Sequence, residues 1–207
     1  MQNKMIIYGA GGLGKEILAV IEDEYNVLGF VDDHAIGIVI GKYNVLGNTE
    51  WLLKQNEKLN VVICVANSLI RKKIVEKLSL KENFIYPNII AKSVKTSKYN
   101  ELGKGCIICD DVIMTVKVNV EDFCIIDYDS TIGHESHLNK FVTLYPSVNI
   151  SGNVEISECT EIGTGSNVIQ QLKIGKNVVI GAGAVVVRDI PDNCTAVGVP
   201  AKPIKFR

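Results

Sequence analysis

Ile150-Ser151-Gly152-Asn153-Val154-Glu155-Ile156-Ser157-Glu158-Cys159-Thr160-Glu161-Ile162-Gly163 carries an isoleucine at every sixth position. The spacing extends in both directions. Steps of six meet Leu102, Ile108, Met114, Val120, Ile126, Ile132, Leu138, Leu144, Ile150, Ile156, Ile162, Val168, Ile174, Ile180 and Val186. All are Leu, Ile, Val or Met, which together make up about a third of the chain. A run of fifteen then has a chance of about one in ten million per frame. A period of six fits neither an α-helix nor a plain strand. It fits the hexapeptide repeat of a parallel β-helix, in which each unit forms one flat side of a triangular coil. The apolar residue points to the coil axis. Glycine often follows it, as at Gly103, Gly133, Gly163, Gly175 and Gly181. The fifth position is small or β-branched, as at Val112, Val118, Val142, Val148, Val154, Thr160, Ser166 and Val178. Three units per coil give about five coils, a stack roughly 24 Å tall at the usual strand spacing. Ile90 and Thr96 continue the frame, so the first coil is expected to begin near residue 90.

The chain before that point has a different period. Met5–Tyr8 is a short apolar run that ends in glycines, and Gly14–Asp23 carries Ile17, Leu18, Val20 and Ile21 at helical spacing. Val27–Val31 reads as a second strand, closed by Asp32-Asp33. Trp51–Gln55 reads as a short helix, and Val61–Ala66 as a buried strand. Ser68 is placed to cap a helix that runs to Leu78, with Arg71, Lys72 and Lys73 on its wet face. Alternation of strand and helix argues for a small parallel sheet of the mononucleotide-binding type. The expected organisation is an α/β, half-Rossmann-like domain over 1–85 and a β-helix over 86–207.

Composition narrows the classes of function. A net charge of −1 leaves no basic footprint for nucleic acid. No apolar run approaches the ~18 residues of a membrane span. The start, Met1-Gln2-Asn3-Lys4 before Met5-Ile6-Ile7-Tyr8-Gly9, lacks the features of a signal peptide, so a cytoplasmic location is expected. Disulfides are then not expected among Cys64, Cys106, Cys109, Cys124, Cys159 and Cys194. Cys106 and Cys109 form a single C-x-x-C without the second ligand pair of a zinc site. They read as small packing residues, and no metal is expected.

Gly9-Ala10-Gly11-Gly12-Leu13-Gly14-Lys15 lies between a strand and a helix and contains G-x-G-x-x-G as Gly9, Gly11 and Gly14. Glycines allow a tight turn and a close backbone approach. The helix N-terminus then presents free N–H groups to an anion. Asp32 and Asp33 stand about where a dinucleotide enzyme keeps its acidic residue, so NAD is weighed, although 1–85 is short for a complete dinucleotide fold.

The hexapeptide repeat, the Gly-rich strand-turn-helix before it and the closing Gly198-Val199-Pro200-Ala201-Lys202 occur together. The combination resembles bacterial sugar acyltransferases of the sialic acid O-acetyltransferase type. Within that group it looks especially like the UDP-4-amino-sugar N-acetyltransferases of glycan synthesis. The resemblance covers about residues 3–205. It implies a left-handed coil, acetyl-CoA as donor, a nucleotide-sugar acceptor, and a homotrimer with active sites between neighbouring subunits. By the same resemblance Gly9, Gly11, Gly12, Leu13, Gly14 and Asp32 would contact the UDP-sugar. The family often has histidine where this chain has Leu13.

Of three histidines, His34 reads as a solvated loop residue. His134 and His137 share the unit Ile132-Gly133-His134-Glu135-Ser136-His137. Acetyl transfer from a thioester needs a base, and imidazole titrates near neutrality. The resemblance assigns His134 as general base, with Glu135 orienting its ring as in triad logic. His137 is the reserve candidate, and Ser136 reads as structural. Adjacent strand residues face opposite ways, so Glu135 reaches His134 only if the pair sits at a corner. Many relatives carry a second histidine at the position of Thr143. A threonine hydroxyl can still bond to donor or sugar, but it cannot act as the base.

An oxyanion is stabilised by an N–H aimed at it, and the resemblance makes Gly152 the donor. It also lays the pantetheine arm along Thr164, Gly165, Ala182 and Gly183, with Lys202 near a CoA phosphate and Arg188 and Lys205 assisting by charge. Three rivals stand beside N-acetyl transfer: O-acetyl transfer on the same fold, a non-catalytic nucleotide-sugar-binding scaffold, and an NAD enzyme.

Overall fold

The computed structural model describes residues 3–206. Two compact units emerge: Met1–Ala66 with Ile70–Pro87, and Asn67–Leu69 with Asn88–Arg207.

The first unit is built on strands β1 (Lys4–Tyr8), β2 (Asn26–Val31), β3 (Val39–Ile40), β4 (Tyr43–Gly47), β5 (Leu59–Ile63) and β6 (Phe84–Ile85). Their order in the sheet is β3-β4-β2-β1-β5-β6. All pairings are parallel except the β3–β4 hairpin. The central strand β1 is buried from Met5 to Tyr8, so its run is apolar without alternation. Helix α1 (Gly12–Ile21) buries Gly14, Ile17 and Ile21, one stripe at helical spacing. Helix α2 (Thr49–Leu53) is capped by Asn48, whose side chain accepts the Trp51 N–H at 3.0 Å.

Helix α3 (Ser68–Leu78) departs from the sequence reading at two residues. Arg71 is not on the wet face. It is 1% exposed, and its guanidinium donates to the carbonyls of Val65 and Ala66 at 2.7 and 2.8 Å. A buried charge requires such partners, and these carbonyls follow the end of β5. Ser68, which groups with the second unit, does not cap the helix. Its N–H and its hydroxyl each lie 2.8 Å from the Glu161 carboxylate.

The second unit is a stack of two-residue strands that return every eighteen residues. Thr131 pairs with Asn149 and Asn149 with Asn167, while Ile132 pairs with Ile150 and Ile150 with Val168. The strands form three parallel-paired sheets of five, five and eight members. The largest is closed by the antiparallel hairpin of Cys194–Val197 with Lys202–Phe206. The first strand, Ile89–Ile90, pairs with Ile107–Ile108. The sixth-position series is buried from Ile108 through Val186, and half-buried Leu102 packs against it. Corners recur with the same period. Asp111, Lys117, Phe123, Asp129, Glu135, Phe141, Ser147, Asn153 and Cys159 all have φ between 54° and 63°, a region that L-residues enter only at single positions.

Small residues at the fifth position hold one coil to the next. The Ser136 hydroxyl donates to Ser151 O at 3.0 Å and accepts the Val154 N–H at 3.1 Å. Thr160 donates to Gly175 O at 2.6 Å and accepts the Val178 N–H at 3.1 Å. Thr160→Val keeps shape but strands one carbonyl and one N–H in a dry core. Chemical denaturation is expected to show a loss of about 1–3 kcal/mol; an unchanged midpoint would refute this role.

Candidate active site

One corner of the β-helix leads from the strand Thr131–Ile132 to the strand His137–Leu138. The chain turns there through Glu135, at φ 58°. That turn brings neighbouring side chains to one side. The Glu135 carboxylate lies 3.2 Å from His134 Nδ1. Its other oxygen stands 3.9 Å from Lys117 Nζ, and its N–H donates to Val116 O at 3.0 Å. A carboxylate on Nδ1 favours the tautomer with hydrogen there, which leaves Nε2 as an acceptor.

His134 Nε2 lies over Gly152. A Cβ added to Gly152 would stand 2.5 Å from Nε2, so the imidazole fills the space any side chain would need. The Asn153 N–H donates to His134 O at 2.7 Å, which locks the two coils together here. Among the described residues no acceptor meets the N–H of Gly152, nor those of Val116, His134 and Gln170 in the same column of the corner. At another corner the N–H groups of Lys104, Lys140 and Lys176 donate to Asp122, Glu121 and Asp192 at 3.0, 3.2 and 2.9 Å. His137 points elsewhere, with Nε2 3.1 Å from Glu121 Oε1.

Thr164, Gly165, Ala182 and Gly183 sit at a different corner. Gly165 and Gly183 have φ of 69° and 68°, and an added Cβ on either would touch nothing within 4 Å. Gly183 N–H donates to Thr164 O at 2.8 Å, so the four residues stack as one open backbone edge. The sheet bearing Thr131, Asn149, Asn167 and Val185 separates this edge from the His134 corner. Thr143, 1% exposed, lies on a third sheet between Ile125 and Glu161. Lys202 is exposed at the start of the final strand. One chain therefore brings His134, Glu135 and Gly152 together and holds Thr164, Gly165, Ala182 and Gly183 apart from them.

In the first unit the glycines of the turn serve two purposes. A Cβ on Gly9 would stand 2.6 Å from Cys64 O, and one on Gly14 2.0 Å from Gly9 O. Gly11 and Gly12 have open space above them. Leu13 is half-buried. Asp32 ties the turn to the end of β2, accepting the Ala10 N–H at 2.9 Å and the His34 N–H at 2.8 Å. Asp33, read in the sequence with Asp32 as an acidic strand end, is bound up within the fold. Asp33 accepts from the Thr49 N–H at 2.7 Å, the Thr49 hydroxyl at 2.8 Å and the Tyr8 hydroxyl at 3.0 Å. Burial works to raise its carboxyl, but the bonds from Thr49 and Tyr8 outweigh it and hold it below the usual range. Burial pushes the Tyr8 phenol up to about 12, so at neutral pH it stays a donor. The doubled Asp at the strand end was the available signal.

The six cysteines are buried and none is in a disulfide, and burial pushes the Cys64 thiol up, away from a reactive thiolate. Among the described residues no cluster of His, Cys, Asp or Glu could hold a metal ion. No helix of the described residues is long and apolar enough to cross a membrane.

The family described as PglD N-terminal domain matches residues 4–78. The acetyltransferase domain of PglB from Neisseria gonorrhoeae FA1090 is 32% identical, with a TM-score of 0.91 over 98% of this chain and 100% of that one. The chain belongs to this family of sugar acyltransferases. Its β-helix is accordingly left-handed. The PglB domain has also been solved in complex with acetyl coenzyme A. The GDP-perosamine N-acetyltransferase of Escherichia coli O157:H7 is 28% identical over 96% of this chain and 95% of its own length. A histidine-to-asparagine mutant of the Caulobacter crescentus perosamine N-acetyltransferase, in complex with CoA and GDP-perosamine, matches with a TM-score of 0.90. It is 28% identical, over 98% of this chain and 97% of that one.

The split among the turn glycines is open to test in urea. Gly14→Ala is expected to destabilise by more than 2 kcal/mol, roughly the scale of core overpacking. Gly12→Ala, in open space inside a helix, is expected to be neutral or slightly stabilising. Equal effects would contradict the geometry.

Proposed function

We propose that this protein is an acetyl-CoA-dependent N-acetyltransferase whose acceptor is a nucleotide-linked amino sugar. The observation that carries the reading is the His134 imidazole lying over Gly152 with Glu135 at its other nitrogen. A base and an unpaired N–H then face one small space, the arrangement that acyl transfer to an amine requires. The amine nitrogen attacks the thioester carbonyl directly. His134 Nε2 takes the proton the nitrogen sheds, while Glu135 steadies the imidazolium. The Gly152 N–H donates to the oxyanion. Collapse breaks the C–S bond, and the imidazolium returns its proton to the departing thiolate of CoA. No acyl-enzyme forms, in keeping with buried thiols.

The acceptor nucleotide is assigned to the turn Gly9–Gly14, where Gly11 and Gly12 leave backbone open beside the N-terminus of α1. Asp32 fixes that turn, and Leu13 adds an apolar edge. The donor's pantetheine arm is assigned to the open edge of Thr164, Gly165, Ala182 and Gly183, with Lys202 toward its phosphates. That edge and the His134 corner are separated within one chain, which supports a homotrimer in which neighbouring copies share each site. Thr143 is carried over only as a hydroxyl able to bond to the donor or the sugar, on a sheet that does not border the His134 corner of its own chain. Solved complexes of the similar Caulobacter crescentus enzyme hold CoA with GDP-perosamine, which favours amine over hydroxyl acceptors.

Thiol release from acetyl-CoA tests the assignment with UDP- and GDP-linked amino sugars as acceptors. His134→Ala is expected to lower kcat by about 10²–10⁴. Gly152→Ala, whose Cβ displaces the imidazole, is expected to lose at least about 10². Activity within a few fold of wild type in either variant would remove that residue from the chemistry. Turnover of plain hydroxyl sugars alone would make the enzyme an O-acetyltransferase instead.

A further inference from the structure

Each of the three sheets of the β-helix presents one outward residue per coil, and the three columns differ in chemistry. On the largest sheet Ile107, Ile125, Thr143 and Glu161 are buried within the chain. On the sheet of His137 the column reads Glu101, Asn119, His137, Glu155 and Lys173, ionisable at every place but Asn119. Lys173 Nζ lies 3.1 Å from the Glu155 carboxylate there. On the sheet of Thr131 the column, past Lys95 in the first turn, reads Ile113, Thr131, Asn149, Asn167 and Val185. None of those side chains ionises. The Thr131 hydroxyl donates to Asn149 Oδ1 at 2.7 Å, and the Asn149 amide donates to Asn167 Oδ1 at 3.2 Å. Ile113 is exposed on this face, as is Ile169 at its border. Absence of charge with exposed apolar side chains is the composition of an interface core, not of a solvated face.

The borders of this face say what covers it. Along one runs the open edge of Gly165 and Gly183, from which the chain enters Asn167 and Val185. Along the other the chain leaves Thr131–Ile132 for His134. Each border carries one half of the acyl-transfer site, and one copy cannot join the halves across its own face. We propose that the face of Asn149 and Asn167 lines the axis of a trimer of this chain, so that the His134 corner of one copy meets the Gly165–Gly183 edge of the next. This rests on the shared-site reading given above and names the surface that makes it. The two borders differ, so the contact is head-to-tail and must close as a ring. Rotation about an axis parallel to the stack leaves every coil at its own height. The neighbouring copy's edge then begins two coils beyond His134 and continues to a third, about 10–14 Å along the stack at the usual strand spacing. A donor that carries its thioester at the end of a long arm matches that offset, with its carbonyl at His134 and its arm along the neighbour's edge. An unrelated protein on this face would leave both halves unmatched.

Light scattering of the full-length protein reads the assembly, and thiol release from acetyl-CoA with a nucleotide-linked amino sugar reads the site. Asn149→Arg/Asn167→Arg puts two cations of each copy at the axis, where their desolvation opposes contact. The double variant is expected to run as single chains with a wild-type far-UV spectrum and to lose at least about 10² in turnover, because the reacting groups are no longer held together. Asn119→Arg, the same change on the ionisable face, is expected to stay assembled with turnover within about twofold of wild type. Complementation leaves the interface untouched. His134→Ala and Ala182→Trp, one in each half, are each expected to be nearly inactive. Trimers mixed from equal amounts are expected to recover about a quarter of wild-type turnover, since one site in four then joins an intact corner to an intact edge. A double-arginine variant that stays trimeric and active would overturn the face, as would a wild type that runs as a single chain. Mixed trimers without recovery would overturn the shared site. Arginine-dependent dissociation of a wild type that acetylates no such sugar would overturn the transfer reading and leave the interface standing.

Discussion

Each aliphatic side chain at the sixth position packs on its counterpart eighteen residues away, inside a channel only wide enough for such stacking. To keep that register the chain must turn after every two-residue strand. At most corners it does so through residues in the left-handed region, twelve of which, among the described residues, are not glycine. Those turns hold His134 in place. At Glu135 the turn places carboxylate and imidazole on the same side, and the eighteen-residue return puts Gly152 beneath the ring. The geometry proposed for catalysis follows from the period of the fold.

The same regularity divides the labour around the coil. One corner sets an imidazole between a carboxylate and the backbone of Gly152. Another offers an unobstructed backbone edge at Gly165 and Gly183. The faces between are closed by short polar bonds, such as Thr131 to Asn149 at 2.7 Å and Asn149 to Asn167 at 3.2 Å. Buried hydroxyls at Ser136 and Thr160 replace the apolar residue where a carbonyl of the next coil needs a donor. They are therefore structural parts of a site's frame, not nucleophiles.

The β-helix was legible in the sequence because its signal is long and strictly periodic. Its corners were not, since Asp111, Phe123 and Glu135 share no side-chain chemistry; backbone register alone forces them into one conformation. In the first unit, β1, β2, β5 and all three helices announce themselves by apolar runs. Two-residue β3 and β6 are too short for any period to register, and β4 follows an exposed stretch from Ile36 to Val39 that reads as loop. Arg71 misled for a chemical reason: charge predicts exposure unless carbonyls such as those of Val65 and Ala66 converge on it. His134 and Glu135 were readable as a pair, but the unpaired N–H of Gly152 emerges only when the coil is assembled.

The central claim is that an amine nitrogen, activated over Gly152, receives the acetyl group. The most direct measurement is proton and carbon NMR of the product formed from acetyl-CoA and a nucleotide-linked amino sugar by the wild-type protein. The account predicts one new amide at the amino carbon, with the sugar hydroxyls untouched, and no product when that nitrogen is already acylated. An ester on a ring hydroxyl, or equal turnover of the blocked sugar, would contradict it.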